Sequence, residues 1–134
     1  MILLDTNVCI AYLHGDANVR RRLLQVFEAE EVLVPGMVEG ELFYGVEKSA
    51  RREENLRNTQ MFLSLIPACH ADDATMRKFG ELKASLERAG SRVDDADVLI
   101  AATAICKNAR LATGNVRHFK RFEGLEVENW FAKE

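Results

Sequence analysis

Three carboxylates stand out because each lies in an apolar setting, where an acid costs stability unless it is paired or used. Asp5 directly follows the apolar run 1–4. On a helical wheel, Glu41 falls between Met37 and Gly45 with Val38 close by, while Glu39 and Glu47 point among more polar neighbours. Asp97 opens the run Val98-Leu99-Ile100-Ala101-Ala102, shortly after Asp94 and Asp95. Each has a structural role to weigh against chemistry. Asp5 can cap a helix, although Thr6 or Asn7 would cap equally well. Glu41 can pair with Lys48, Arg51 or Arg52. The acids at 94–97 gain from the positive end of a helix dipole, which accounts for Asp94 or Asp95 better than for Asp97.

Carboxylates that converge on one place repel, and unaided they cannot all stay ionised at neutral pH. A divalent cation resolves the conflict. Oxygen ligands with no Cys/His cluster select a hard ion, Mg²⁺ or alternatively Mn²⁺, over Zn²⁺. His14, His70 and His118 have no metal-ligand spacing. The chain has no Gly-x-x-x-x-Gly-Lys loop, no Gly-x-Gly-x-x-Gly turn and no Gly-x-Ser-x-Gly elbow. Acids around Mg²⁺ suit phosphoryl chemistry, in which the metal activates water and stabilises the pentacovalent phosphate.

Apolar periodicity supplies the elements that must position these acids. Residues 1–4 read as a strand buried on both faces, the mark of a parallel sheet. Helices are expected over 8–13 and 18–29, the latter with Val19, Leu23, Leu24, Val26 and Phe27 on its apolar side. A second buried strand covers 32–34 and ends at Pro35-Gly36, before a helix over 37–47. A charged helix over 51–65 leads to a weak strand at 66–69, which Pro67 confines to a sheet edge. An amphipathic helix over 72–89 stops at Gly90, and a buried helix covers 96–106. Short strands at 111–113 and 125–128 complete the alternation. Strands alternating with helices imply an α/β fold, a three-layer α/β/α sandwich with a mostly parallel central sheet. In such a sheet ligands bind beyond the carboxyl ends of the strands, near Asp5, Glu41 and Asp97.

The 134 residues suit a single domain, 1–134, with no repeat and no linker. Hydrophobic residues at 48% and charged residues at 29% exclude disorder and low-complexity classes. A net charge of −3 does not advertise nucleic-acid binding, so any such contact must come from local patches. Arg117, His118, Lys120 and Arg121 form one such run; Lys48, Arg51 and Arg52 form another. Cys9, Cys69 and Cys106 are odd in number and widely spaced, which suits a reducing, cytoplasmic setting. Asp5 comes too early for a signal peptide, and no apolar run approaches the ~20 residues of a membrane span.

The opening Ile2-Leu3-Leu4-Asp5-Thr6-Asn7, Glu41-Leu42 with Gly45, and Asp97 before its apolar run together resemble the PIN domain. More narrowly they resemble the VapC-type toxins of toxin–antitoxin pairs. Ala112-Thr113-Gly114-Asn115 through Phe119, and Gly124 through Trp130, fit the same pattern in the same order. The resemblance implies a Mg²⁺-dependent endoribonuclease inhibited by a cognate antitoxin and forming a homodimer. It implies that Asp5, Glu41 and Asp97 hold metal, with Asp95 as a possible outer acid. Asn115 stands where many members carry a fourth acid, which leaves a second metal less firmly held. Thr113 and Asn115 then position water, metal or phosphate by hydrogen bonds, and Thr113, Arg117 and Lys120 are the expected RNA contacts. Hydrolysis without the 2′-hydroxyl as nucleophile leaves a 5′-phosphate. If exposed, Phe43, Tyr44, Met61, Phe62 and Leu65 suit an amphipathic antitoxin helix, although core packing is their ordinary fate.

Rival readings are weaker. A receiver-type signalling domain needs a Lys soon after the strand at 111–113, and none follows closely. An Asp-nucleophile phosphatase needs a second acid at position 7, which is Asn. A catalytically inert PIN-fold binding module is the remaining alternative, favoured by Asn115 and opposed by the three retained acids.

Overall fold

A computed structural model describes residues 1–131. Its sheet has the order β3-β2-β1-β4-β5. These strands are β1 (Ile2–Leu4), β2 (Val32–Pro35), β3 (Ala68–Cys69), β4 (Arg110–Ala112) and β5 (Val127–Glu128). Every pairing is parallel, with Leu3 opposite Leu33 on one side and Leu111 on the other. Ile2, Leu3 and Leu4 are all fully buried although alternate strand side chains point to opposite faces. Helices therefore cover both faces, and the expected three-layer α/β/α sandwich is what forms.

The helices are α1 (Thr6–Leu13), α2 (Ala17–Ala29), α3 (Gly36–Lys48), α4 (Arg52–Leu65), α5 (Asp73–Arg88), α6 (Asp95–Cys106) and α7 (Val116–Phe119). Gly15 and Gly90, at φ +88 and +76, terminate α1 and α5 in backbone conformations that favour glycine. Strand β3 is at the sheet edge, as Pro67 demanded; the Pro67 carbonyl accepts from Val34 N–H at 3.1 Å, and its missing donor costs nothing. The short α7 had no strong periodic signal. It is pinned by buried Phe119, and Phe122 and Trp130 close the core beside it.

One expectation about packing is corrected. Leu24 and Phe27, assigned to the apolar side of α2, are 69% and 50% exposed. Only Val19 and Leu23 on that helix are buried, because its core-facing stripe is narrower than the run of apolar letters. Met61 and Leu65 of α4 and Tyr44 of α3 are also exposed, while Phe62 is buried and Phe43 half-buried. Tyr12, Leu24, Phe27 and Leu65 line a shallow apolar depression. No helix among the described residues is long and apolar enough to cross a membrane.

At the amino end of β4, Arg110 makes a bidentate pair with Glu30, at 2.9 and 3.0 Å, and a third bond to Glu128 at 3.1 Å. Glu128 also accepts from the buried indole of Trp130 at 2.8 Å. The network ties α2, β4 and β5 together at the end opposite the acids. Arg110→Met leaves Glu30 with only the Met1 ammonium, at 3.0 Å, and Glu128 with the Trp130 indole and Arg22, and the loss of three charge-assisted bonds is expected to cost about 1–3 kcal/mol. Urea denaturation measures it; an unchanged midpoint would show that the network is dispensable.

Candidate active site

The chain runs outward from β1 to β2 and β3, then returns to place β4 on the other side of β1. The carboxyl ends of β1 and β4 therefore flank a topological switch point, where open α/β sheets bind ligands. Asp5 leaves β1 there. Its N–H continues the ladder to the Ala112 carbonyl at 2.9 Å, and its extended backbone makes it the N-cap of α1. Oδ1 accepts from Thr6 N–H at 2.8 Å and Oδ2 from the Thr113 hydroxyl at 2.7 Å. Thr6, considered an equal candidate for the cap, is already inside the helix. Asp5 thus serves the cap and the site together.

Asp5 is only 6% exposed. Burial raises its carboxyl above the ordinary aspartate value; the bonds from Thr113 and Thr6 oppose the rise, and the charges of Asp97 and Glu41 add to it. Asp97 and Glu41 are thus near enough for their charges to act on Asp5.

Glu41 reaches the site from α3, and its Oε1 accepts from the Thr6 hydroxyl at 2.6 Å. Its candidate cationic partners are engaged elsewhere. Arg52 pairs with Glu47 at 2.7 Å, Arg51 with Glu54 at 3.6 Å, and the Lys48 ammonium lies over the Tyr44 ring. The second basic run is therefore largely tied up within its own helices.

Asp97 lies in the first turn of α6, and its Oδ2 is 2.9 Å from His118 Nε2. Asp94 occupies the cap position without a side-chain bond, and Asp95 is held by Lys83 at 3.0 Å. Asp97 is the member of this acidic trio that faces Asp5.

After β4, Thr113 is fully buried and donates its hydroxyl to Asp5. Its oxygen also accepts the Asn115 backbone N–H at 3.0 Å, whereas the Asn115 side chain makes no capping bond to α7. Gly114 N–H donates to Asn7 Oδ1 at 3.1 Å, and a Cβ on Gly114 would come within 2.8 Å of the Phe131 ring. Arg117 and Lys120 are exposed at α7, beside the acids. Sequence reasoning missed Thr6 and His118 as holders of Glu41 and Asp97, and Asn7 as a latch. Thr6 was visible as a residue beside Asp5. Nothing in spacing announces a histidine 21 residues beyond its carboxylate.

Among the described residues no three Asp, Glu, His or Cys side chains form a closed metal-holding group. The site does fit a hydrated hard cation. Its donors are carboxylate oxygens, and among the described residues Glu41 Oε2 and Asp97 Oδ1 receive no hydrogen bond. Mg²⁺ typically takes one or two carboxylates, keeps several waters and completes its shell with substrate phosphates. No Lys or Arg among the described residues pairs with any of the three acids, so their charge is left for such an ion.

The sequence profile of the PIN domain matches residues 2–125. The chain belongs to the PIN-domain family. Within it the relatives are of the VapC group. The protein is 33% identical over 129 residues to ribonuclease VapC2 of Rickettsia felis and 34% identical over 129 residues to the tRNA(fMet)-specific endonuclease VapC of Shigella flexneri. Each alignment covers 96% of both chains. The PIN fold also superposes on VapBC2 of Rickettsia felis bound to a promoter DNA fragment. The TM-score is 0.91 at 34% identity, over 97% of this chain and 99% of that one. The family that the sequence resembled is thus the family to which the chain belongs.

The raised carboxyl of Asp5 has a sign that can be tested. Between the ordinary value of 3.8 and the raised folded value, the folded state holds the proton more tightly than the unfolded state. Stability is therefore lost as pH rises through that window. Asp5→Asn keeps the bond from Thr6 N–H to its amide oxygen and reverses the other, its N–H donating to the Thr113 hydroxyl oxygen. In EDTA the variant is expected to melt a few degrees above the parent protein at pH 7, the gap closing toward pH 4. Thermal unfolding followed by circular dichroism measures it; a variant that melts lower at pH 7 would contradict the assignment.

Proposed function

We propose that this PIN domain, residues 1–134, is a Mg²⁺-dependent endoribonuclease that hydrolyses RNA phosphodiesters and is inhibited by a cognate antitoxin protein. The observation that carries the reading is a set of three carboxylates at the switch point, Asp5 buried and Glu41 and Asp97 part-buried, held by Thr113, Thr6 and His118 and paired with no Lys or Arg among the described residues. Such an arrangement is costly for the fold and useful only to a cation and a phosphate. Bound there, Mg²⁺ or Mn²⁺ supplies Lewis acidity and charge neutralisation at the phosphate. Asp5 and Asp97 hold the cation. Glu41, fixed at Oε1 by Thr6, directs Oε2 at the attacking water, orients it and accepts its proton. Attack by water in line with the leaving oxygen gives a 5′-phosphate product. Thr113 and the backbone at Asn115 keep the loop beneath the phosphate in place, and exposed Arg117 and Lys120 bind the flanking backbone.

The inhibitor reading rests on a surface and on kinship. Glu41 opens on a cleft also lined by Ile10, Leu13, Leu42 and Asn58, next to the apolar depression at Tyr12, Leu24, Phe27 and Leu65. That combination suits an amphipathic helix whose polar end reaches the acids. The matched Rickettsia felis structure is a VapBC2 complex, and VapBC-5 of Mycobacterium tuberculosis, another match, is by name a member of the VapBC family of toxin-antitoxin systems. Action in the cytoplasm, as a homodimer, belongs to the same reading. A second reading, an inert PIN-fold module, draws on Asn115 in place of a fourth acid.

The test is cleavage of total RNA and of initiator tRNA, the substrate in the Shigella flexneri relative's name, by protein freed of partner. Discrete cuts that need Mg²⁺, stop with EDTA and fall at least ~100-fold in Asp97→Asn are expected. Activity that survives in Asp97→Asn or in EDTA would refute the mechanism, and absence of both cleavage and metal binding would favour the inert module. Arg117→Ala and Lys120→Ala are each expected to weaken RNA binding and lower its salt dependence by about one ion. Filter binding at several salt concentrations measures this, and an unchanged slope would place the RNA elsewhere.

A further inference from the structure

We propose that His118 is a positioning residue for the cation site: its ring donates to Asp97 Oδ2 and so presents Oδ1 to the ion. The inference rests on the metal-dependent reading above and adds a residue that the sequence pattern placed only in a basic run, with no link to the acids. A carboxylate is acceptor-only, so the 2.9 Å contact requires the hydrogen on Nε2, whichever charge the ring carries. The ring has little freedom. It meets Phe119 edge-on at 5.1 Å and Phe122 at 6.4 Å, and both of those rings are buried. Its side chain is 19% exposed, against 31% for Asp97, so the bond is shielded on the histidine side and open on the acid side.

The geometry completes a pattern. Each acid has an oxygen fixed by a side chain from another segment: Asp5 by Thr113, Glu41 by Thr6, Asp97 by His118. Thr and His hold a carboxylate without requiring a permanent counter-charge, whereas a Lys or Arg would carry one that competes with the cation. His118 also lies between Arg117 and Lys120 in order along the chain, so the bond that orients the acid fixes the segment that bears the phosphate-binding cations. Hydrogen-bond partners of metal ligands typically govern metal affinity by ~10–100-fold.

The experiment is calorimetric titration of the full chain, free of partner and RNA, with Mn²⁺ alone. His118→Leu keeps apolar contact with Phe119 and Phe122 but cannot donate, and is expected to weaken Mn²⁺ binding at least ~10-fold. His118→Gln retains an N–H at comparable reach and is expected to stay within about threefold of the parent, a difference too small for a lost partner. Circular dichroism checks folding. Should the Leu variant not fold, His118→Asn, whose amide is too short to span the gap, takes its place with the same expectation.

Parental affinity in the Leu or Asn variant would overturn the proposal. So would equal weakening in the Gln variant, which would make the ring itself a ligand or the packing the cause. Failure of the underlying reading looks different. There the parent protein and Asp97→Asn would both bind no Mn²⁺, whereas loss in Asp97→Asn with parental affinity in His118→Leu refutes only the role of His118.

Discussion

Like charges gathered in a poorly hydrated place must be restrained, or they protonate, separate or unfold the protein around them. Asp5 concentrates that constraint. It is nearly inaccessible, it feels two neighbouring carboxylates, and burial has raised its carboxyl despite two hydrogen bonds that favour the charged form. Much of the surrounding architecture answers this one group. The cap of α1, the hydroxyl of Thr113, the Asn7–Gly114 latch and the close approach of Phe131 to Gly114 all fix the strand ends on which the acids depend.

The stabilising side of the balance lies in the chain around the acids. Arg110 anchors the amino end of β4 to Glu30, and the buried Phe119, Phe122 and Trp130 hold the segments that follow β4 and β5 without contributing a donor to the acids, the one link being His118. Apolar packing thus fixes the loops at the carboxyl ends of the strands so that the acids there can remain poised.

Much of this was legible in the residues. Full burial of 1–4, the break at Pro35-Gly36 and the apolar run after Asp97 are local patterns, and the parallel sheet, the helix boundaries and the three acids followed from them. Pro67 even placed β3 at an edge. What escaped was relational. Leu24 and Phe27 look like core until tertiary packing leaves them outside, and Thr113, at the end of an expected strand, carries no local sign that its hydroxyl meets Asp5. His118 is invisible as a partner of Asp97 because no periodicity links an α7 residue to the first turn of α6. Sequence reveals the residues an element must bury; the bonds between elements depend on how those elements dock.

The bond from Thr113 to Asp5 spans 108 residues of chain. Strand β4 cannot take its place beside β1 until the helices and strands between them have been made, since all of that chain must fold or loop out first. A nascent chain still short of residue 113 has Asp5 at an unpaired strand end, with neither Thr113 nor His118 to complete the pocket. Competence therefore arrives late in biosynthesis. The topology itself makes the acid pocket a late product of synthesis, closed only after the segments between β1 and β4 have left the ribosome.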